Sequence, residues 1–207
     1  MGTLLKCYFE YGETEMGHLC RRDKKLAAVI KREGVIRREV KPDPFSALVE
    51  SVVSQQISSK AALTVCGRLA DLCGGDYRKL HALKPEKIQS CGMSMRKAGY
   101  IKGIAGAAAS GSVDFDRLHE KSDTEIVQTL TALNGVGRWT AEMLLIFSLQ
   151  RPDVVSYGDL GIRRGMMRLY ALEELGKEQF AEYAKKYSPY GSVASLYLWK
   201  ISAPDYG

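Results

Sequence analysis

Leu130 to Leu149 reads LTALNGVGRWTAEMLLIFSL, and the reading of the fold turns on it. Leu130 and Leu133 finish one helical face, Gly135-Val136-Gly137 makes a tight turn, and Ala141, Leu144, Leu145 and Ser148 line one side of the next helix. A helix–hairpin–helix is therefore expected over 130–149. A backbone without Cβ atoms approaches a phosphate closely and adopts positive φ. The N–H groups at the start of the second helix then face an anion. Such a hairpin holds a nucleic-acid backbone without reading its bases. Taken alone, a Gly-Val-Gly turn fits a plain αα-hairpin better, and the surrounding residues have to decide.

Working outward, almost every segment reads as helix. Lys24 to Arg32 is amphipathic and stops at Gly34, and Pro44 sits in the first turn of a helix whose apolar residues are Phe45, Leu48, Val49, Val52 and Val53. Ser58 or Ser59 caps a helix that Gly74-Gly75 ends, and Pro85 opens a short one broken at Gly92. Ser94 caps a Gly- and Ala-rich helix expected to pack closely on a neighbour. Ser122 and Glu125 form a capping-box pattern ahead of Ile126 to Leu133. After the hairpin, VVSYGD is an extended link whose Ser156-Tyr157-Gly158 reads as an open mouth before Asp159. Helices follow over about Leu160 to Leu172 and Lys177 to Tyr187, and a last one starts at Ser188-Pro189 and runs through Trp199. No β alternation or internal repeat is visible, so the fold class is all-α with about ten helices.

Composition narrows the class. The 207 residues are 45% hydrophobic and 26% charged, ordinary globular usage that excludes a disordered or collagenous chain. No apolar stretch approaches the ~20 residues that a membrane-spanning helix needs. The start, MGTLLKCYFEYGETEM, shows neither a secretory leader nor, with Lys6, an acylation signal. Cys7, Cys20, Cys66, Cys73 and Cys91 are odd in number and form no C-x-x-C pair, as expected of reduced thiols in a cytoplasmic setting. A net charge of +6 suits a polyanionic partner without proving one. His18, His81 and His119 are too scattered to suggest a metal site.

The run Leu133-Asn134-Gly135-Val136-Gly137-Arg138-Trp139-Thr140-Ala141, with Asp159 following 22 residues past Gly137, resembles the helix–hairpin–helix superfamily of DNA base-excision glycosylases. The GRWTA sequence, SQQISSKAA at 54–62, GMSMRKAGYI at 92–101 and PYGSVASLYLW at 189–199 are similar to the 3-methyladenine DNA glycosylase II branch, the alkylation-repair enzymes. The resemblance implies a two-lobed fold. A central lobe spans 44–152, an outer lobe joins 1–43 to 153–207, and the active-site cleft lies between them.

It implies function as well: a monofunctional enzyme that flips alkylated purines out of double-stranded DNA and hydrolyses the N-glycosidic bond, leaving an abasic site. Asp159 matches the family's catalytic carboxylate in its spacing from the hairpin; the alternative is an ordinary N-cap or first-turn acid of the helix it opens. Members that also cut the strand use a lysine where this chain has Trp139, so water replaces an amine as nucleophile. Lys60 and Lys97 are the lysines that could approach the cleft, and strand cleavage through either is not expected. Trp139 and Tyr190 fall at positions of rings that stack on the damaged base, and Met143 where some relatives place an aromatic. The DNA contacts fall on Gly135, Gly137, Arg138 and Thr140. Gln56, with Ile57 beside it, matches the side chain that fills the gap left by the flipped base.

In the family a monovalent cation, sodium or potassium, sits on hairpin carbonyls, here those of Thr131, Leu133 and Val136. No other cofactor is expected, nor a membrane partner. The chain departs from the family pattern at Asn134, often proline, and at Gly191, often arginine. The expected protein is a monomer in the cytoplasm, nucleoid-associated in a bacterial or archaeal cell. Two alternatives remain: a helix–hairpin–helix module that binds DNA without catalysis, and a glycosylase for oxidised, deaminated or mismatched bases.

Overall fold

Aspartate and serine side chains start most of the helices, each accepting an N–H that the first turn leaves without an intrahelical partner. The computed structural model describes residues 6–206. The first five residues of the expected outer lobe, where a leader or acylation signal was sought, and the last residue lie outside the described residues.

Near the amino end, β1 (Cys7–Tyr8) and β2 (Glu39–Val40) pair antiparallel, Cys7 opposite Val40, and bracket α1 (Glu13–Arg22) and α2 (Lys24–Glu33). Two-residue strands are too short to leave an alternating pattern, so the sequence reading missed them. Asp23 caps α2 by accepting the Leu26 N–H at 2.9 Å, and Gly34 at φ +60° ends it.

The helix α3 (Pro44–Ser54) begins at Asp43, whose carboxylate accepts the N–H groups of Phe45 and Ser46. Its expected stripe, Phe45, Leu48, Val49, Val52 and Val53, is buried throughout. Ser58 rather than Ser59 caps α4 (Ser59–Cys73), which stops at Gly74 in the left-handed region. Then come α5 (Tyr77–Ala82), capped by Asp76, and α6 (Pro85–Gln89). The first of these is too short to show a helical period and went unread. Ser94 caps α7 (Met95–Ala109), and a 3₁₀ turn at Leu118–Glu120 precedes α8 (Asp123–Thr131), where Ser122 and Glu125 form the expected capping box. The close packing expected of α7 is seen at Gly106, where an added Cβ would lie 3.2 Å from the His81 ring, and at buried Ala98 and Ala105, while Gly99 and Gly103 face open space.

The chain continues through α9 (Arg138–Phe147), α10 (Leu160–Tyr170), α11 (Lys177–Tyr187) and α12 (Gly191–Ser202), twelve α-helices among the described residues where about ten were expected. Two compact units result: Lys41–Leu144, and Met1–Val40 together with Leu145–Gly207. The second division falls inside α9, earlier than the expected change at Pro152.

Within the latter unit, α10 and α12 touch backbone to backbone. A Cβ on Gly165 would lie 2.1 Å from the Leu198 carbonyl oxygen. The same pair of helices brings Asp159, at the start of α10, to Trp199 on α12. Gly191 is equally crowded: a Cβ there would meet Val155 at 2.6 Å and the Asp153 carboxylate at 2.8 Å, which explains why no arginine stands at this position. Beneath these helices Tyr170 donates its hydroxyl proton to buried Asp23 and lies 2.9 Å from the Tyr187 hydroxyl. Tyr197 donates to the Gly34 carbonyl at 2.8 Å. Burial pushes the phenols of Tyr170, Tyr187 and Tyr197 well above their ordinary range.

Candidate functional site

The hairpin joins α8 to α9. Val136 is buried and donates to the Leu133 carbonyl at 3.1 Å, while Gly135 takes φ +85°. A Cβ on Gly135 would fall 2.3 Å from Cδ2 of Tyr100, so both backbone and packing demand glycine. Gly137 differs. It is exposed, outside the positive-φ region, with nothing within 4 Å of an added Cβ.

Beyond it Arg138 is exposed, its Nε donating to Glu142 at 2.8 Å one turn on. Trp139 is 43% exposed, which excludes burial beneath the hairpin. Met143 is half-buried and, four residues on, shares its face of α9. Thr140, also expected to meet DNA, is 3% exposed, beside buried Ala141. Of the proposed cation ligands, Thr131 closes α8, and Leu133 and Val136 lie in the turn.

In the same unit, the loop between α3 and α4 carries Gln56 at φ +60° and exposed Ile57. Positive φ is uncommon for a residue with a side chain and is worth explaining wherever it occurs. The preceding residue, Gln55, donates its amide to the Gly135 carbonyl at 3.0 Å, joining this loop to the hairpin. Lys97 is committed to main-chain carbonyls of α3 and the loop, those of Val53 and Gln55.

Asp159 lies in the other unit. It is buried, 8% exposed, and occupies the N-cap of α10, where Oδ1 accepts the Ile162 N–H at 2.8 Å. The same oxygen accepts the indole N–H of Trp199 at 2.9 Å. Trp199 in turn lies against Phe147, ring centroids 5.2 Å apart, and the Arg38 guanidinium sits 5.0 Å from the Phe147 centroid. Gly161 makes room for the indole, since a Cβ there would meet Trp199 at 2.7 Å.

The link before Asp159 is packed in part: Ser156 is buried and Tyr157 lies edge-on to Phe180 at 5.1 Å, while Gly158 is exposed. Tyr190 precedes α12 with its ring 5.3 Å from that of His18, whose Nε2 lies 3.0 Å from the Ser188 carbonyl.

Sequence reasoning missed Trp199, Phe147, Gln55 and Tyr100. One signal was available for Trp199: an indole N–H in an otherwise apolar final helix needs an acceptor.

Comparison with known proteins fixes the family. Residues 49–189 match the HhH-GPD superfamily of base excision DNA repair proteins. The chain belongs to that superfamily. The HhH-GPD chain is 34% identical over 194 residues to DNA-3-methyladenine glycosylase 1 of Schizosaccharomyces pombe, a match covering 89% of this chain and 85% of that protein. Among solved structures it is similar to a DNA-3-methyladenine glycosidase from Bacillus halodurans, with 38% identity and a TM-score of 0.86 over 96% of this chain and 93% of that one. It is also similar to an S. pombe 3-methyladenine DNA glycosylase in complex with abasic DNA, with 32% identity and a TM-score of 0.80 over 94% and 99%. The all-α HhH-GPD fold expected from the hairpin is the fold observed. Among the described residues no helix is long and apolar enough to cross a membrane, and no group of three or more His, Cys, Asp or Glu is placed to hold a metal.

Proposed function

We propose that this HhH-GPD chain is a monofunctional DNA glycosylase that removes alkylated purines of the 3-methyladenine type from duplex DNA by hydrolysis. The observation that carries the reading is Asp159: a buried carboxylate held through one oxygen by a helix N–H and an indole N–H. Breaking the C1′–N bond leaves positive charge on the deoxyribose, which a fixed carboxylate stabilises. Water adds at C1′, the bonding electrons leave with the base, and the carboxylate orients the water and takes its proton. An alkylated base that already carries positive charge departs neutral, so the chemistry asks little of a leaving-group acid.

Trp139, where strand-cutting relatives place an attacking lysine, supports hydrolysis without strand cleavage, and Lys97 is engaged elsewhere. Trp139, Tyr190 and Met143 are the proposed partners of the extruded base, whose electron-poor ring stacks best on electron-rich ones. Gln56, with Ile57, fills the vacated position. Gly135, Gly137 and Arg138 receive the strand. The carbonyls of Thr131, Leu133 and Val136 suit a monovalent cation, because a carbonyl oxygen keeps a second lone pair even where, as at Leu133, it already accepts an N–H. When bound, such an ion adds positive charge that draws a phosphate. The protein is expected to act as a monomer.

The test is a panel of duplexes, each with one defined lesion, scored for abasic sites and for strand breaks, with wild type beside Asp159→Asn. Release of alkylated purines by wild type, none by the variant, and equal DNA binding by both are expected. Turnover retained without the carboxylate overturns the mechanism; release of oxidised, deaminated or mismatched bases instead overturns the substrate class.

A further inference from the structure

The loop that carries Gln56 is held by one charged side chain from a distant stretch of sequence. Where α3 ends, Val53 and Gln55 have carbonyls that no later turn of the helix can satisfy. The last turn of α3 has no basic residue to meet them. Lys97, from the first turn of α7, supplies the missing charge: its ammonium donates to the Val53 carbonyl at 2.8 Å and also to the Gln55 carbonyl. These acceptors flank the helix end, and the very next residue is Gln56 at φ +60°. An unfavourable backbone conformation persists only where its surroundings over-determine it. Burial pushes the Lys97 ammonium below its usual range, so the cation sits there against a desolvation cost that the carbonyls offset.

The same helix also holds the hairpin. Tyr100 lies three residues from Lys97, hence on the same side of α7, and its ring presses against Gly135. Gln55 closes the arrangement by donating to the Gly135 carbonyl at 3.0 Å. One face of α7 therefore fixes two turns that are far apart in sequence.

We propose that Lys97 is a positioning residue for base extrusion: by clamping the end of α3 it holds Gln56 in the protruding conformation before DNA arrives and keeps that loop in register with the hairpin. The role rests on the reading of Gln56 given above. A loop already in place does not have to be ordered when the base leaves the stack, so the benefit falls on flipping rather than on bond cleavage.

The experiment compares Lys97→Met, Lys97→Arg and Gln55→Met with wild type, each first shown to be folded by its thermal melt. Single-turnover release of 7-methylguanine is measured in a paired duplex and in a duplex where the lesion lies in an unpaired bulge, and amide hydrogen exchange is followed over 54–57 and 134–137. Lys97→Met should slow release from the paired duplex about tenfold, given two charge-assisted bonds lost. The deficit should shrink in the bulge, where extrusion is already cheap. Lys97→Arg should recover most of the rate, and Gln55→Met should fall between. Exchange over 54–57 should quicken in Lys97→Met, and adding Gln56→Ala to it should cost little more. Equal slowing on paired and bulged DNA, or unchanged exchange, overturns the proposal. If wild type releases no alkylated purine while Lys97→Met still frees the 54–57 amides, the clamp survives and the proposed function fails.

Discussion

Trp199→Phe isolates one atom of the candidate site. The substitution removes the indole N–H that Asp159 Oδ1 accepts at 2.9 Å and leaves an aromatic ring against Phe147. A hydrogen bond to a charged acceptor is worth about 1.5–3 kcal/mol, and ~1.4 kcal/mol corresponds to tenfold in rate. Asp159 keeps the Ile162 N–H, so its carboxylate is loosened rather than released. The loss should lie near the lower end, about ten- to thirtyfold in kcat with DNA affinity unchanged. Single-turnover release of 7-methylguanine, with affinity followed separately by fluorescence anisotropy, separates the two quantities.

Gly161→Ala reaches the same bond from the other side. Its methyl group would stand 2.7 Å from Trp199 Cδ1 and 3.1 Å from Asp159 Oδ1, forcing the indole away. Because both substitutions act through one contact, the double variant should be scarcely slower than the worse single one. A Trp199→Phe enzyme with undiminished kcat, or losses that multiply in the double variant, refutes the reasoning.

The two hairpin glycines should respond in opposite ways. Gly135→Ala meets both positive φ and the Tyr100 ring and should lower stability by about 2 kcal/mol or more in a thermal melt. Gly137→Ala should cost ~1 kcal/mol or less, yet weaken duplex binding measured by anisotropy; a variant that binds as wild type does shows that no phosphate approaches there. Alkali should destabilise the fold. The raised phenols of Tyr170, Tyr187 and Tyr197 stay protonated in the folded chain above the ordinary value of 10.0, where the unfolded chain ionises. Their contribution is therefore complete below that pH and is lost as pH rises beyond it, by about 1.4 kcal/mol per pH unit for each tyrosine. Urea unfolding across that range should show the decline, and Tyr197→Phe should make it shallower by one tyrosine's share.

Local signals carried most of the fold. Ser94 and the Ser122/Glu125 pair act on their own next turn, so their caps could be read directly, and the α3 stripe followed from spacing. The missed elements were too short to repeat: β1 and β2 have two residues each and α5 six. At the site, Gly135 and Gly137 look alike in sequence, but only the first is constrained within the chain, and Tyr100, which constrains it, lies on another helix. Trp199 and Lys97 act across 40 residues or more of sequence, on Asp159 and on the end of α3. No spacing rule reaches that far.

The catalytic role proposed for Asp159 and its capping of α10 are compatible. A carboxylate that is to stabilise positive charge must be held still, and burial demands that its oxygens find donors. Among its donors are a backbone amide and an indole, both on Oδ1, and together they fix the orientation of the group. The helix N-terminus favours negative charge at that position as well. On the proposed mechanism, capping α10 is the means by which the carboxylate is aimed, and the backbone contact of Gly165 with Leu198 keeps the indole donor on the helix alongside.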